Sequence, residues 1–169
     1  LCASCNAKDV TVTFSILKTG ETTPITLTEP SYAGRKYTKD YSFDTIGEYT
    51  IYFTAIKDGY TVTSSHKKLT VTKADIKSNL IMPPTAQENL TYTGREQALI
   101  TAGSVTSGGT MQYSLTENGT YSQNIPAGTD AGAYTVWYRV IGDANHNDTA
   151  PASVAVSIGK KPLTITGVT

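Results

Sequence analysis

Four groups of residues in this 169-residue chain have types and spacings that chemistry could use. Cys2 and Cys5 form a C-x-x-C pair, half of a four-ligand zinc site or, at the start of a helix that follows a strand, a redox pair. The zinc reading lacks its other half, because there is no further cysteine and the only histidines, His66 and His146, stand 80 residues apart. The redox reading needs a βαβ setting, whereas the pair precedes the alternation Val10, Val12, Phe14, Ile16. Lipid attachment at Cys5, after Ala3-Ser4, would follow an apolar run that the chain does not carry before it. The pair is therefore read as the edge of a fragment. Asp143-Ala-Asn145-His146-Asn147-Asp148 sets oxygen ligands at positions one, three and five in the manner of a calcium loop. Position six is Asp148 rather than glycine, and position twelve is Val154 rather than glutamate, so a polar loop closed by Asx turns is the expectation.

Catalysis finds little support. A nucleophile needs a base beside it, and His66 and His146 both fall in loop-like surroundings. G-x-S-x-G, H-E-x-x-H and a phosphate-cradling Gly-Lys-Ser/Thr loop are all missing from the sequence. The remaining pair is Trp137 and Arg139. If Tyr134, Val136 and Tyr138 face a core, then Thr135, Trp137 and Arg139 face outward, where an aromatic ring and a guanidinium could stack on a sugar or seat a protein partner. Cross-strand packing, with Arg139 stacked on a ring, would place the same residues equally well.

These side chains must be positioned by strands. There are 29 threonines, eleven tyrosines, one tryptophan and 38% hydrophobic residues, a composition that favours β-structure. Fourteen basic residues balance fourteen acidic ones, which argues against nucleic acid as a partner. No apolar run nears the roughly 20 residues of a membrane-spanning helix. Alternation of period two recurs at Val10–Ile16, Tyr49–Phe53 and Val154–Ile158, and no stretch has helical spacing. Turn chemistry lies between, at Thr19-Gly20, Asp58-Gly59, Ser107-Gly108-Gly109, Asn118-Gly119 and Ala127-Gly128. Asn118-Gly119 predicts a type I′ hairpin, with positive φ at both positions.

The chain also repeats itself. Gly47-Glu-Tyr49-Thr50-Ile51-Tyr52-Phe53 aligns with Gly132-Ala-Tyr134-Thr135-Val136-Trp137-Tyr138 at an offset of 85, and Leu69-Thr-Val71 with Val156-Ser-Ile158 at 87. Phe14-Ser15-Ile16 matches Tyr113-Ser114-Leu115, which leaves the first copy about 35 residues short before this point. Lys160-Lys161-Pro162-Leu163-Thr164-Ile165 repeats the start of the second copy at Lys73-Ala74-Asp75-Ile76. Residues 1–73 carry nine basic and seven acidic groups, residues 74–160 four and seven. The Lys67-Lys68 and Lys160-Lys161 pairs suit strand edges, where lysine discourages stray pairing.

The run Asp-x-x-Gly47-x-Tyr49 or Asp130-x-Gly132-x-Tyr134 has the form of a tyrosine corner, with Ile51 or Val136 where antibody domains place a cysteine. With Tyr92-Thr-Gly94, Gly132-x-Tyr134-x-Val136 and Gly142-Asp-Ala-Asn-His-Asn147, the sequence resembles bacterial immunoglobulin-like repeats of secreted and cell-surface proteins. The resemblance spans most of residues 74–160. It implies an all-β chain of two tandem immunoglobulin-like β-sandwich domains: 1–73, short of its first strands, 74–160, and 161–169 as the start of a further repeat. It further implies a non-catalytic spacer or adhesive segment at the surface of a bacterium, or outside it. Neighbouring repeats in cis would be its partners. The alternative is a carbohydrate- or host-protein-binding module using the aromatic face of Trp137 and Arg139. Catalytic residues, metal ligands, cofactors, nucleic acid and membrane insertion are not expected.

Overall fold

A computed structural model describes residues 1–4 and 9–163. The readings placed on Cys5 and on the strand of a third copy at 164–169 lie outside the described residues. Among the described residues the chain is all-β, relieved by a single 3-10 turn at Ser78–Leu80, and it divides into two compact units, Leu1–Thr72 and Lys73–Thr169.

In unit 1, β1 is Cys2–Ser4, β2 Thr11–Lys18, β3 Ile25–Leu27, β4 Ser31–Ala33, β5 Lys36–Thr38, β6 Gly47–Lys57, β7 Tyr60–Thr63 and β8 Lys67–Val71. The apolar members of the β2 and β6 alternations meet across the ladder, Phe14 opposite Phe53 and Ile16 opposite Ile51. The main sheet runs β3-β2-β6-β7, and β6 is long enough to hold β8 beyond β7 along the same edge. Ser64 bridges the gap between those two partners: its amide donates to Phe53 O at 2.9 Å, and its Oγ accepts from Phe53 N–H at 3.0 Å. The smaller sheet β1-β5-β4 places Ala3 and Tyr37 against Val12 and Phe14 to form the core. Asp58-Gly59 (φ 48° and 78°) and Gly34-Arg35 (φ 57° and 63°) both turn with positive φ at two residues, the handedness that matches strand twist in a two-residue hairpin.

In unit 2, β9 is Ile81–Met82, β10 Thr85–Ala86, β11 Gln97–Ala98, β12 Ile100–Thr101, β13 Ser104–Val105, β14 Gly109–Ser114, β15 Ala127–Gly128, β16 Gly132–Gly142 and β17 Ala152–Ile158. The sheet β14-β16-β17 carries the long alternations, and Thr149 closes its ladder at Val140 as Ser64 does at Phe53. The short pieces belong together. Leu99, between β11 and β12, donates its N–H to Pro126 O and accepts from Gln87 N–H, so 97–101 is flanked by 85–87 on one side and 126–128 on the other. Leu99 and Ile100 join Met111, Tyr113, Val136, Val140, Val156 and Ile158 in one buried cluster.

Two turn expectations are corrected. Asn118 and Gly119 are not among the positive-φ residues. The turn instead spans Thr116–Gly119, with Gly119 N–H donating to Thr116 O at 3.3 Å. A Cβ at its last position would strike Thr116 Oγ1, so a side chain there would require that hydroxyl to turn away. Ala127-Gly128 is no turn but strand β15, paired with Gln97-Ala98.

Candidate functional site

The outer face of the β14-β16-β17 sheet holds Trp137 and Arg139, as their alternation with buried Val136 and Val140 requires. Trp137 lies between Ser114 and Ser153 on the flanking strands and is half-buried. Arg139 stands opposite Gln112 and is also half-buried. A third residue, not singled out from the sequence, completes the face. After β14 the chain turns back so that Ser122 pairs with Tyr113, which puts Tyr121 on the outer side. Its ring centroid lies 4.3 Å from the Arg139 guanidinium carbon, and its hydroxyl donates to Glu117 O at 2.9 Å. The signal for Tyr121 was the recurrence of Tyr-Ser at 113–114 and 121–122 on either side of a turn. Among the described residues, Arg139 Nε is the buried side-chain nitrogen or oxygen without a hydrogen-bond partner. Such an atom retains its desolvation cost until an acceptor reaches it.

In unit 1 the residue at the place of Trp137 is Tyr52, opposite Ser15. Its ring packs on His66 at 4.7 Å between centroids. One of the two histidines is thus occupied as ring cover.

The other histidine belongs to the 142–148 loop. Asp143 Oδ1 accepts from Asn145 N–H at 2.8 Å, an Asx turn, and lies 2.7 Å from His146 Nδ1. Asp148 Oδ1 accepts from Gly142 N–H at 2.9 Å. Of the oxygens that suggested calcium, Asp143 Oδ1 is turned onto the loop's own Asn145 amide and His146, while Asn147 donates its side-chain amide to Asp75. The hydrogen bond from His146, followed by that from the Asn145 amide, holds the Asp143 carboxyl below the usual carboxylate range.

Both corner tyrosines bond backwards to a carbonyl four residues earlier. Tyr49 donates to Thr45 O and Tyr134 to Asp130 O, each at 2.8 Å. A further tyrosine lies deep in unit 2: Tyr113 donates to Gly103 O at 3.3 Å and accepts from Gly103 N–H at 2.9 Å. Burial pushes its hydroxyl above the ordinary tyrosine value, partly offset by that backbone bond. Gly103 is held close to the chain opposite, since a Cβ there would come within 2.6 Å of Met82 O.

Fold and site together define an all-β chain of two units, each with its own core, one of which carries an outward Trp-Arg-Tyr cluster. No protein-family model matches the chain, and no curated protein shows significant similarity to it.

Proposed function

We propose that the chain is a non-catalytic spacer: two tandem immunoglobulin-like sandwich modules that hold other parts of a bacterial surface or secreted protein apart. The observation that carries this reading is the way the units follow one another. The last strand of unit 1 ends at Val71, and Lys73 and Ala74 are already bonded within unit 2, which leaves Thr72 between them. Separate cores that follow one another with a single residue between them are the serial arrangement expected of strung modules. Further support comes from the matching registers: Gly47 and Tyr49 face Val71 and Leu69, as Gly132 and Tyr134 face Ile158 and Val156.

A second reading, recognition of a glycan or host protein through Trp137, Arg139 and Tyr121, is favoured by the unpartnered Arg139 Nε. One experiment separates the two. A glycan array and pull-down with the chain is expected to give no saturable binding. Specific binding that disappears in Trp137→Ala overturns the spacer reading.

A further inference from the structure

The residues that lead into unit 2 are gripped by one loop. Ala74 N–H donates to Asn145 O and Ala74 O accepts from Asn147 N–H, both at 2.9 Å, forming a one-residue parallel bridge at His146. On either side, Lys73 Nζ donates to Asp143 O at 3.1 Å, and Asn147 Nδ2 donates to Asp75 Oδ1 at 2.8 Å. Three consecutive residues thus meet four hydrogen bonds, two from backbone and two from side chains. The loop is preset for this. Asp143 Oδ1 fixes Asn145 and His146, Asp148 Oδ1 fixes Gly142, and Asp143 N–H donates to Gly108 O at 3.0 Å. Ile76 completes the attachment by packing against the unit 2 core beside Gly108, where a Cβ would lie 3.3 Å from both Ile76 and the His146 ring. Unit 1 has at the corresponding place only the two-residue hairpin Asp58-Gly59.

We propose that the 143–148 loop is a clamp that makes Lys73–Asp75 part of unit 2, so that chain freedom between the units is confined to the bonds around Thr72. Its purpose rests on the spacer reading; its test does not. Asp143 is a positioning residue here, since its carboxylate acts on the connecting segment through Asn145 and His146.

The test is amide hydrogen exchange on the whole chain, with trypsin cleavage at the Lys73–Ala74 bond as a second readout. In the parent chain the Ala74 amide is expected to exchange roughly a hundredfold more slowly than an open peptide, because it is released only when the loop opens. Asp143→Ala and Asn147→Ala each speed that exchange about tenfold, the loss of one ordinary hydrogen bond, and hasten cleavage at Lys73. Val136 and Tyr138 amides keep their rates. Asp143→Asn retains protection, since its side-chain oxygen still accepts from Asn145. The proposal is overturned if Ala74 is unprotected in the parent chain, or if Asp143→Ala and Asn147→Ala leave it unchanged. It is equally overturned if Ala74 speeds up only together with Val136 and Tyr138, because the loop would then be an inseparable part of the fold. Ligand binding by the chain would sink the spacer reading and leave these rates untouched.

Discussion

Units 1 and 2 build the same ladder and cover it differently. In each, an eleven-residue strand, Gly47–Lys57 or Gly132–Gly142, lies between an earlier strand and a closing one, with Phe14 facing Phe53 as Tyr113 faces Tyr138. Over that ladder unit 2 lays Ile76 through Val105 and forms a cluster of eight buried residues, including Leu99 and Val136 at 0% exposure. Unit 1 has three short strands in that role and, among the described residues, a cluster of four. Val62, on the same face as Ala55, stays 64% exposed, and a cavity of about 310 Å³ opens over Phe14, Ile51 and Phe53. The ladder sets the register, and the cover sets how much apolar surface leaves water.

The largest effect should come from emptying each core in turn. Phe14→Ala is expected to cost unit 1 about 3–5 kcal/mol, and Leu99→Ala to cost unit 2 about 2–5 kcal/mol. Trp137, the only tryptophan, reports on unit 2 alone, so urea unfolding followed by its fluorescence should shift for Leu99→Ala and stay in place for Phe14→Ala. A Trp137 transition displaced by Phe14→Ala would break the comparison, because the cores would not be independent.

Next in size is Tyr113→Phe, which strands the Gly103 amide and carbonyl at about 1–3 kcal/mol. The same hydroxyl has a pH signature. Its folded value is raised, so its contribution is present below the ordinary tyrosine value of about 10 and is lost as pH rises from there through the folded value. Unit 2 should therefore weaken in alkali by this route, and Tyr113→Phe should remove that dependence. Unit 1 has Phe14 at the equivalent position, with nothing to ionise.

Tyr134→Phe and Tyr49→Phe should each cost about 1 kcal/mol, the worth of one neutral hydrogen bond, read from the melts of the respective units. A smaller loss, roughly 0.5–1 kcal/mol, is expected of Tyr121→Ala through its stacking on Arg139. Smallest is the effect of acid on the exposed Asp143. Its folded value is depressed, so the protection it gives the Asn145 amide is present above the ordinary carboxylate value and fades as pH falls through the folded one. Protection at Asn145, taken against the open-peptide rate at each pH, that stays constant down to complete protonation would show that the carboxylate charge does not hold the turn.

How far these features could be read in advance depended on the range of the interactions behind them. The long strands were legible because alternation acts over neighbouring residues, and the outward placement of Trp137 and Arg139 followed from the same period. The cover of unit 2 was not. Its pieces are two residues long, interrupted by Pro83-Pro84 and by Ala102-Gly103, and Leu99 divides its backbone bonds between Gln87 and Pro126. Nothing local marks such a division. The place of Tyr121 depends on the pairing of Ser122 with Tyr113 across a turn, which no local periodicity marks. Asn118-Gly119 has the composition of a two-residue hairpin, but Ser114 Oγ accepts from Thr116 N–H and starts the turn early.

Six residues before each corner tyrosine the units differ sharply. Gly128 lies under the ring of Tyr134, where a Cβ would come within 2.8 Å of the ring. Unit 1 has Phe43 at that spacing, and its ring packs on Tyr49 with centroids 4.7 Å apart. The two corners therefore make the same hydrogen bond over opposite supports, one a vacancy and the other a second ring. A chimera that exchanges sequence between the units in register would be viable with its seams outside 43–49 and 128–134. A seam inside would set a phenylalanine against a tyrosine ring that now rests on bare backbone, or leave a bare corner where a ring packs.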